Sequence, residues 1–150
     1  MIIHLIEDDA FKCTAIKNCI QKFDSSINLE VSLSVASGLR YLVKNKSKID
    51  LLLLDMSMPL YDNSDENTFI NEHQNFGGKE ILSQMKVRKI NIPVVVITMF
   101  NSIDDISINT LEDDLKKNYP DIFKGIIFYT SKDIFWAKKL TEYITEFKHG

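Results

Sequence analysis

Long apolar runs are missing from this sequence. No stretch approaches the roughly 20 residues needed to cross a bilayer, so a membrane-spanning helix is not expected. The opening segment, residues 1–7, is apolar but short and soon acidic, unlike a secretory leader. An excess of one charge is missing too. Eighteen Lys and Arg against 21 Asp and Glu leave a net charge of −3, which gives no basic footprint for nucleic acid. Cysteine is scarce: Cys13 and Cys19 lie six apart in one helical stretch. That spacing puts them on different faces, which argues against a disulfide. Without a companion Cys or His pair, a structural zinc site is also excluded. The two read as small apolar side chains in a cytoplasmic protein. His4 and His149 are isolated and read as structural or surface residues, and His73 lies in a polar loop amid Asn71, Glu72, Gln74 and Asn75, where a solvated position outweighs a loop metal ligand.

What is present fits one domain. With 150 residues and 45% apolar side chains, the chain can bury a real core. Five short apolar runs alternate with helical patterns. Residues 2–6 form the first run, and a helix is expected from Ala10 to Phe23, with Ile16, Cys19, Ile20 and Phe23 on one face. Alternation through Leu29, Val31, Leu33 and Val35 predicts a second strand, followed by a short helix over 37–43. In the run 50–55, Asp50 and Asp55 bound four consecutive leucines, the pattern of a strand buried on both faces. A helix carrying Ile81, Leu82 and Met85 follows Gly77 and Gly78, and the β-branched run 94–98 predicts the fourth strand. A helix over 106–118, a strand over 125–129 and a last helix over 132–147 complete the chain. The last helix is expected to pack Phe135, Trp136, Leu140, Tyr143, Ile144 and Phe147. No repeat, low-complexity segment or linker to a second unit interrupts the alternation.

Strand–helix alternation repeated five times predicts a parallel sheet covered by helices on both faces. Ligands of such sheets gather at the carboxyl ends of the strands. The first strand delivers Glu7, Asp8 and Asp9 there, the third delivers Asp55, the fourth Thr98, and the fifth Tyr129 and Thr130. Carboxylates brought together repel one another unless a cation or proton intervenes. Hard oxygen ligands with room for water suit Mg²⁺. A carboxylate beside that ion can accept a phosphoryl group as an aspartyl phosphate.

These strings resemble a response-regulator receiver domain over nearly the whole chain. Residues 2–9 are similar to the start of that family. Leu51-Leu52-Leu53-Leu54-Asp55-Met56-Ser57-Met58-Pro59 is similar to its phosphoacceptor segment, Gly78-Lys79-Glu80-Ile81-Leu82 to the start of its third helix, and residues 94–98 to its fourth strand. The resemblance implies a three-layer, doubly wound (βα)5 flavodoxin-like α/β fold, strand order 2-1-3-4-5, as a single domain over 1–150. It implies Glu7 and Asp8 as metal-binding acids, Asp55 as phosphoacceptor and further metal ligand, the Ser57 backbone carbonyl as another, and Thr98 as the phosphoryl-sensing hydroxyl. Mg²⁺, a histidine kinase or phosphotransfer protein, and a downstream protein effector follow as cofactor and partners.

The sequence also departs from that family. Tyr129-Thr130 stands where the family has lysine then proline, and neither Lys124 nor Lys132 is in matching register. Ile126 replaces an aromatic, and the bulky Met99 follows Thr98. A long polar loop over 60–76 is inserted before the third helix, and a second added stretch lies between Thr98 and Gly125. Three readings follow. The first is a stand-alone phosphoacceptor signalling through a protein partner. The second is a pseudo-receiver, a binding module without phosphate chemistry. The third is a Mg²⁺-dependent phosphohydrolase, opposed by Ser57, which stands where such enzymes place a second aspartate and lacks the pKa of a general acid or base.

Overall fold

Leu51–Leu54 explains the layering: four consecutive leucines, all fully buried, must have apolar cover on both sides of a strand. The computed structural model, which describes residues 1–61, 77–99, 102–103 and 106–148, provides it. The elements are β1 (Ile2–Ile6), α1 (Ala10–Phe23), β2 (Asn28–Ser32), α2 (Val35–Asn45), β3 (Leu51–Leu54), α3 (Gly77–Val87), β4 (Val94–Thr98), β5 (Ser102–Ile103), β6 (Ile106–Ser107), α4 (Ile108–Asn118), β7 (Phe123–Phe128) and α5 (Phe135–Lys148). β2, β1, β3, β4 and β7 form one parallel sheet in that order, and β5 and β6 pair antiparallel on their own. The sheet therefore has the expected 2-1-3-4-5 order, counting its own strands along the chain.

Side chains alternate across the sheet. Ile3, Leu5, Leu51, Leu53, Val95 and Ile97 pack with Ile16 and Ile20 of α1 and with Trp136, Leu140 and Ile144 of α5. Ile6, Leu52, Leu54, Val94 and Val96 pack with α2, α3 and α4 through Leu42, Ile81, Leu82, Met85, Leu111 and Leu115. Each such aliphatic side chain contributes about 2 kcal/mol on burial. Among the described residues, no helix is long and apolar enough to cross a membrane.

Several boundaries differ from the sequence expectation. β2 stops at Ser32, leaving Leu33 exposed, and Val35 opens α2 instead of ending the strand. The reason is local: Ser34 caps α2, exchanging hydrogen bonds with Ser37 in a capping box. The next donors of that helix are also taken, Val35 N–H by the Pro59 carbonyl at 2.9 Å and Ala36 N–H by that of Leu60 at 2.8 Å. Phe23 and Phe135 stand at helix ends and are exposed, so neither belongs to the core face assigned to it. Residues 106 and 107 are strand, and α4 begins at Ile108. The last helix begins at Phe135, whose N–H is received by Asp133. Cys13 and Cys19 are free thiols, each half-buried. The insertion is described only at Leu60 and Tyr61; its remainder, with His73, lies outside the described residues, as does His149.

Candidate functional site

Glu7 and Asp55, 48 positions apart in sequence, meet because β1 and β3 are neighbours. The Asp55 N–H donates to the Ile6 carbonyl at 3.1 Å, continuing the β1–β3 ladder beyond the last paired residue. The carboxylates of Glu7, Asp8 and Asp55 then offer oxygens that all lie within 4.8 Å of one another. They line an open depression of about 430 Å³, bounded by residues 7–11, Asp55, Ser57 and Met99. Glu7 and Asp55 are buried and Asp8 is exposed. A cluster of three hard carboxylate oxygens at this separation, two of them removed from solvent, fits a divalent cation.

The loop is ordered by its own backbone donors. Glu7 Oε2 accepts from the N–H groups of Asp8 at 3.1 Å and Asp9 at 3.2 Å. Asp9 caps α1, accepting from Phe11 N–H at 2.9 Å and Lys12 N–H at 3.1 Å. Asp9 is thus a helix cap, and Asp8 projects from the turn between. Ser57 N–H donates to Asp55 Oδ1 at 3.3 Å. The segment after Asp55 is pressed against the start of α3, where Gly78 N–H donates to the Met56 carbonyl at 3.0 Å. A Cβ on Gly78 would lie 2.7 Å from both the Asp55 carbonyl oxygen and Met56 Cα. Glycine is required there for close approach, not for its dihedral freedom.

Burial raises the pKa of both Glu7 and Asp55, and in each the Lys12 charge opposes that rise. Asp8 is raised as well, by burial first and then by the Glu7 charge. Lys12 is the residue that sequence reasoning missed. It is only 1% exposed, and its ammonium enters the site from α1. It pairs with Glu7 Oε1, lies 3.6 Å from Asp55 Oδ1, and donates to the Ile97 carbonyl at 2.7 Å. A lysine this deeply buried is tolerated only when paired, and these acceptors supply the pairing. The signal was available: Lys12, Ile16 and Ile20 are the buried residues of α1, spaced four apart on one stripe that leads to the acids.

Thr98 is fully buried at the end of β4, and its hydroxyl has no hydrogen-bond partner among the described residues. It does not line the depression; the neighbouring Met99 does. Tyr129 is buried, its ring 4.9 Å from that of Trp136 and its face 5.9 Å from the Lys12 ammonium. It is a packing residue beside the cation. Trp136 is part of the core. His4 is structural: it is buried, it hydrogen-bonds Ser32 through Nε2 at 2.8 Å, and its ring contacts Tyr41.

With this sheet order and with acids at the ends of β1 and β3, the chain has the CheY-like fold of response-regulator receiver domains. The phosphorylated cyanobacterial phytochrome response regulator RcpA superposes with a TM-score of 0.68, over 98% of this chain and 93% of that one, at 19% identity. A CheY-like receiver domain protein from Methanospirillum hungatei JF-1 superposes at 0.62 over 99% and 98%, at 17% identity. By sequence, the chain is 26% identical over 150 residues to the Detocs response regulatory protein DtcB of Enterobacter cloacae, covering 97% of this chain and 99% of the relative. It is equally identical, over 136 residues, to the uncharacterized protein y4jR of Sinorhizobium fredii, covering 88% and 89%. No family model matches the chain.

Proposed function

We propose that this chain is a phosphoacceptor signalling domain in which Asp55 takes a phosphoryl group, Mg²⁺ is held by Glu7, Asp8 and Asp55, and a protein partner reads the result. The observation that carries this reading is the convergence of three carboxylates, one of them the buried Asp55, at the carboxyl edge of the sheet. Mg²⁺, when bound, would neutralise charge on the transferring group. The Ser57 carbonyl is proposed as a further ligand to it. An Asp55 carboxylate oxygen attacks the phosphorus of a phosphohistidine or small acyl phosphate. The P–O bond to Asp55 forms as the bond to the donor breaks, and the donor leaves with that electron pair. The acyl donor departs as carboxylate, and the imidazole of a histidine donor takes up a proton. Thr98, a buried hydroxyl without a partner among the described residues, is proposed to donate to a phosphoryl oxygen once one is present. The donor is then a histidine kinase or phosphotransfer protein, and the output is a protein effector, in keeping with the response regulatory protein it resembles along its length.

Purified protein incubated with Mg²⁺ and acetyl phosphate is expected to gain one phosphoryl-mass adduct. Asp55→Asn, or wild type in excess EDTA, is expected to gain none. An unmodified wild-type protein that also fails to respond to beryllofluoride overturns the reading. A second reading, a binding module without phosphate chemistry, is favoured by one specific observation: Lys12 already gives Glu7 and Asp55 a resident counter-charge. That reading wins if Asp55→Asn leaves partner binding unchanged and no adduct forms.

A further inference from the structure

Lys12 is more than a counter-ion to acids at rest. A phosphoryl group on Asp55 adds oxygens and negative charge to a place that already holds Glu7 and Asp8. A bound divalent ion offsets part of that charge. A buried doubly charged group needs further direct donors. Among the described residues, Lys12 is the one lysine or arginine ion-paired to Asp55. Lys124, at the far strand of the sheet, is exposed.

The donor count points the same way. An ammonium carries three N–H donors. The Ile97 carbonyl takes one at 2.7 Å, and Glu7 Oε1 is paired with the ammonium by charge. Asp55 Oδ1 at 3.6 Å is a charge contact beyond hydrogen-bond distance. Even with one donor turned to Glu7, one remains for an oxygen added at that carboxylate. Both ends of the side chain are held in place. Asp9 caps the first turn of α1 at Lys12 itself, and the Tyr129 ring lies 5.9 Å from the ammonium. Tyr129 directly follows β7, and the Lys12 ammonium is brought over its ring from α1.

Resting on the phosphoacceptor reading above, we propose that Lys12, delivered by α1 and not by the last strand of the sheet, is the cation that binds the phosphoryl group on Asp55. The test is beryllofluoride binding at saturating Mg²⁺, followed by ¹⁹F NMR, in wild type, Lys12→Gln, Lys12→Arg and Asp55→Asn. Wild type is expected to bind and Asp55→Asn is not. Lys12→Gln should bind about 10- to 100-fold more weakly, the range of one charge-assisted hydrogen bond, and Lys12→Arg should recover part of the loss. Because Lys12→Gln can also unfold the protein, wild type supplies a second measurement. A ¹⁹F–¹H Overhauser contact is expected between bound fluoride and the Lys12 ε-methylene protons. Wild-type affinity in a folded Lys12→Gln, or no such contact in a beryllofluoride-bound wild type, overturns this inference and leaves the phosphoacceptor reading standing. A wild type that binds no beryllofluoride overturns both.

Discussion

His4 makes stability depend on pH in a direction and by an amount that can be worked out. Its ring is wholly buried in β1, between Ser32 and the ring of Tyr41, and its Nδ1 has no partner among the described residues. Burial holds its pKa at about 4, against 6.5 in an unfolded chain. Between those values the unfolded state binds a proton that the native state refuses, so stability rises with pH through this window. In the other direction, stability is lost as pH falls from about 6.5 towards 4. At about 1.4 kcal/mol per pH unit the full loss is about 3 kcal/mol, a large share of a small domain's total. Glu7, Asp8 and Asp55 work the other way: their raised pKa values favour the native state as they take up protons. The wild-type curve is therefore a sum, and a difference isolates His4. His4→Gln keeps a donor or acceptor for Ser32 and cannot titrate. Urea denaturation of both proteins across this range should show wild type losing about 3 kcal/mol more than His4→Gln on acidification. A wild-type-minus-variant difference that is the same at pH 7 and pH 4 refutes the argument.

The remaining predictions concern the site. Mg²⁺ at a hundred times its dissociation constant should raise wild-type stability by about 2.7 kcal/mol, measured by urea denaturation at pH 7.5. The increment should largely vanish in Asp8→Asn, whose exposed carboxylate is absent from the core; an undiminished increment would exclude Asp8 as a ligand. Gly78→Ala should cost about 1–3 kcal/mol, because its Cβ meets backbone atoms of residues 55 and 56. Its acetyl phosphate adduct should also form more slowly, and wild-type stability would show that the loop yields freely.

The fold was legible because the apolar pattern and the strand–helix alternation agree. Leu51–Leu54 is apolar on every residue, and only a strand covered on both faces accommodates that. Boundaries failed where one polar side chain overrode periodicity. Val35 continues the alternation of Leu29, Val31 and Leu33 perfectly well, yet Ser34 before it and Ser37 after it form a capping box that starts α2. Phe23 fits the helical spacing of the core but falls on the last turn of α1 and is exposed, whereas Phe135 opens α5 exposed beside Trp136, which takes the buried position of that turn. Periodicity assigns a face, and it does not say how far along the helix that face remains covered.

The site divides along a similar line. Glu7, Asp8 and Asp55 could be placed together from sequence because Glu7 and Asp55 directly follow strands, Asp8 is next to Glu7, and strand order brings their loops to one edge. Lys12 could not be placed that way, since it reaches the site along a long side chain from inside a helix. The position after the last strand holds Tyr129 and no cation. The more general question is where a buried positive charge can come from, and the apolar stripe of α1 answers it. Continued one turn towards the acids from Ile20 and Ile16, that stripe arrives at a lysine. A charged residue on a stripe that must be buried is either an error in the assigned face or a group with a buried partner. Here Glu7 and Asp55 are those partners.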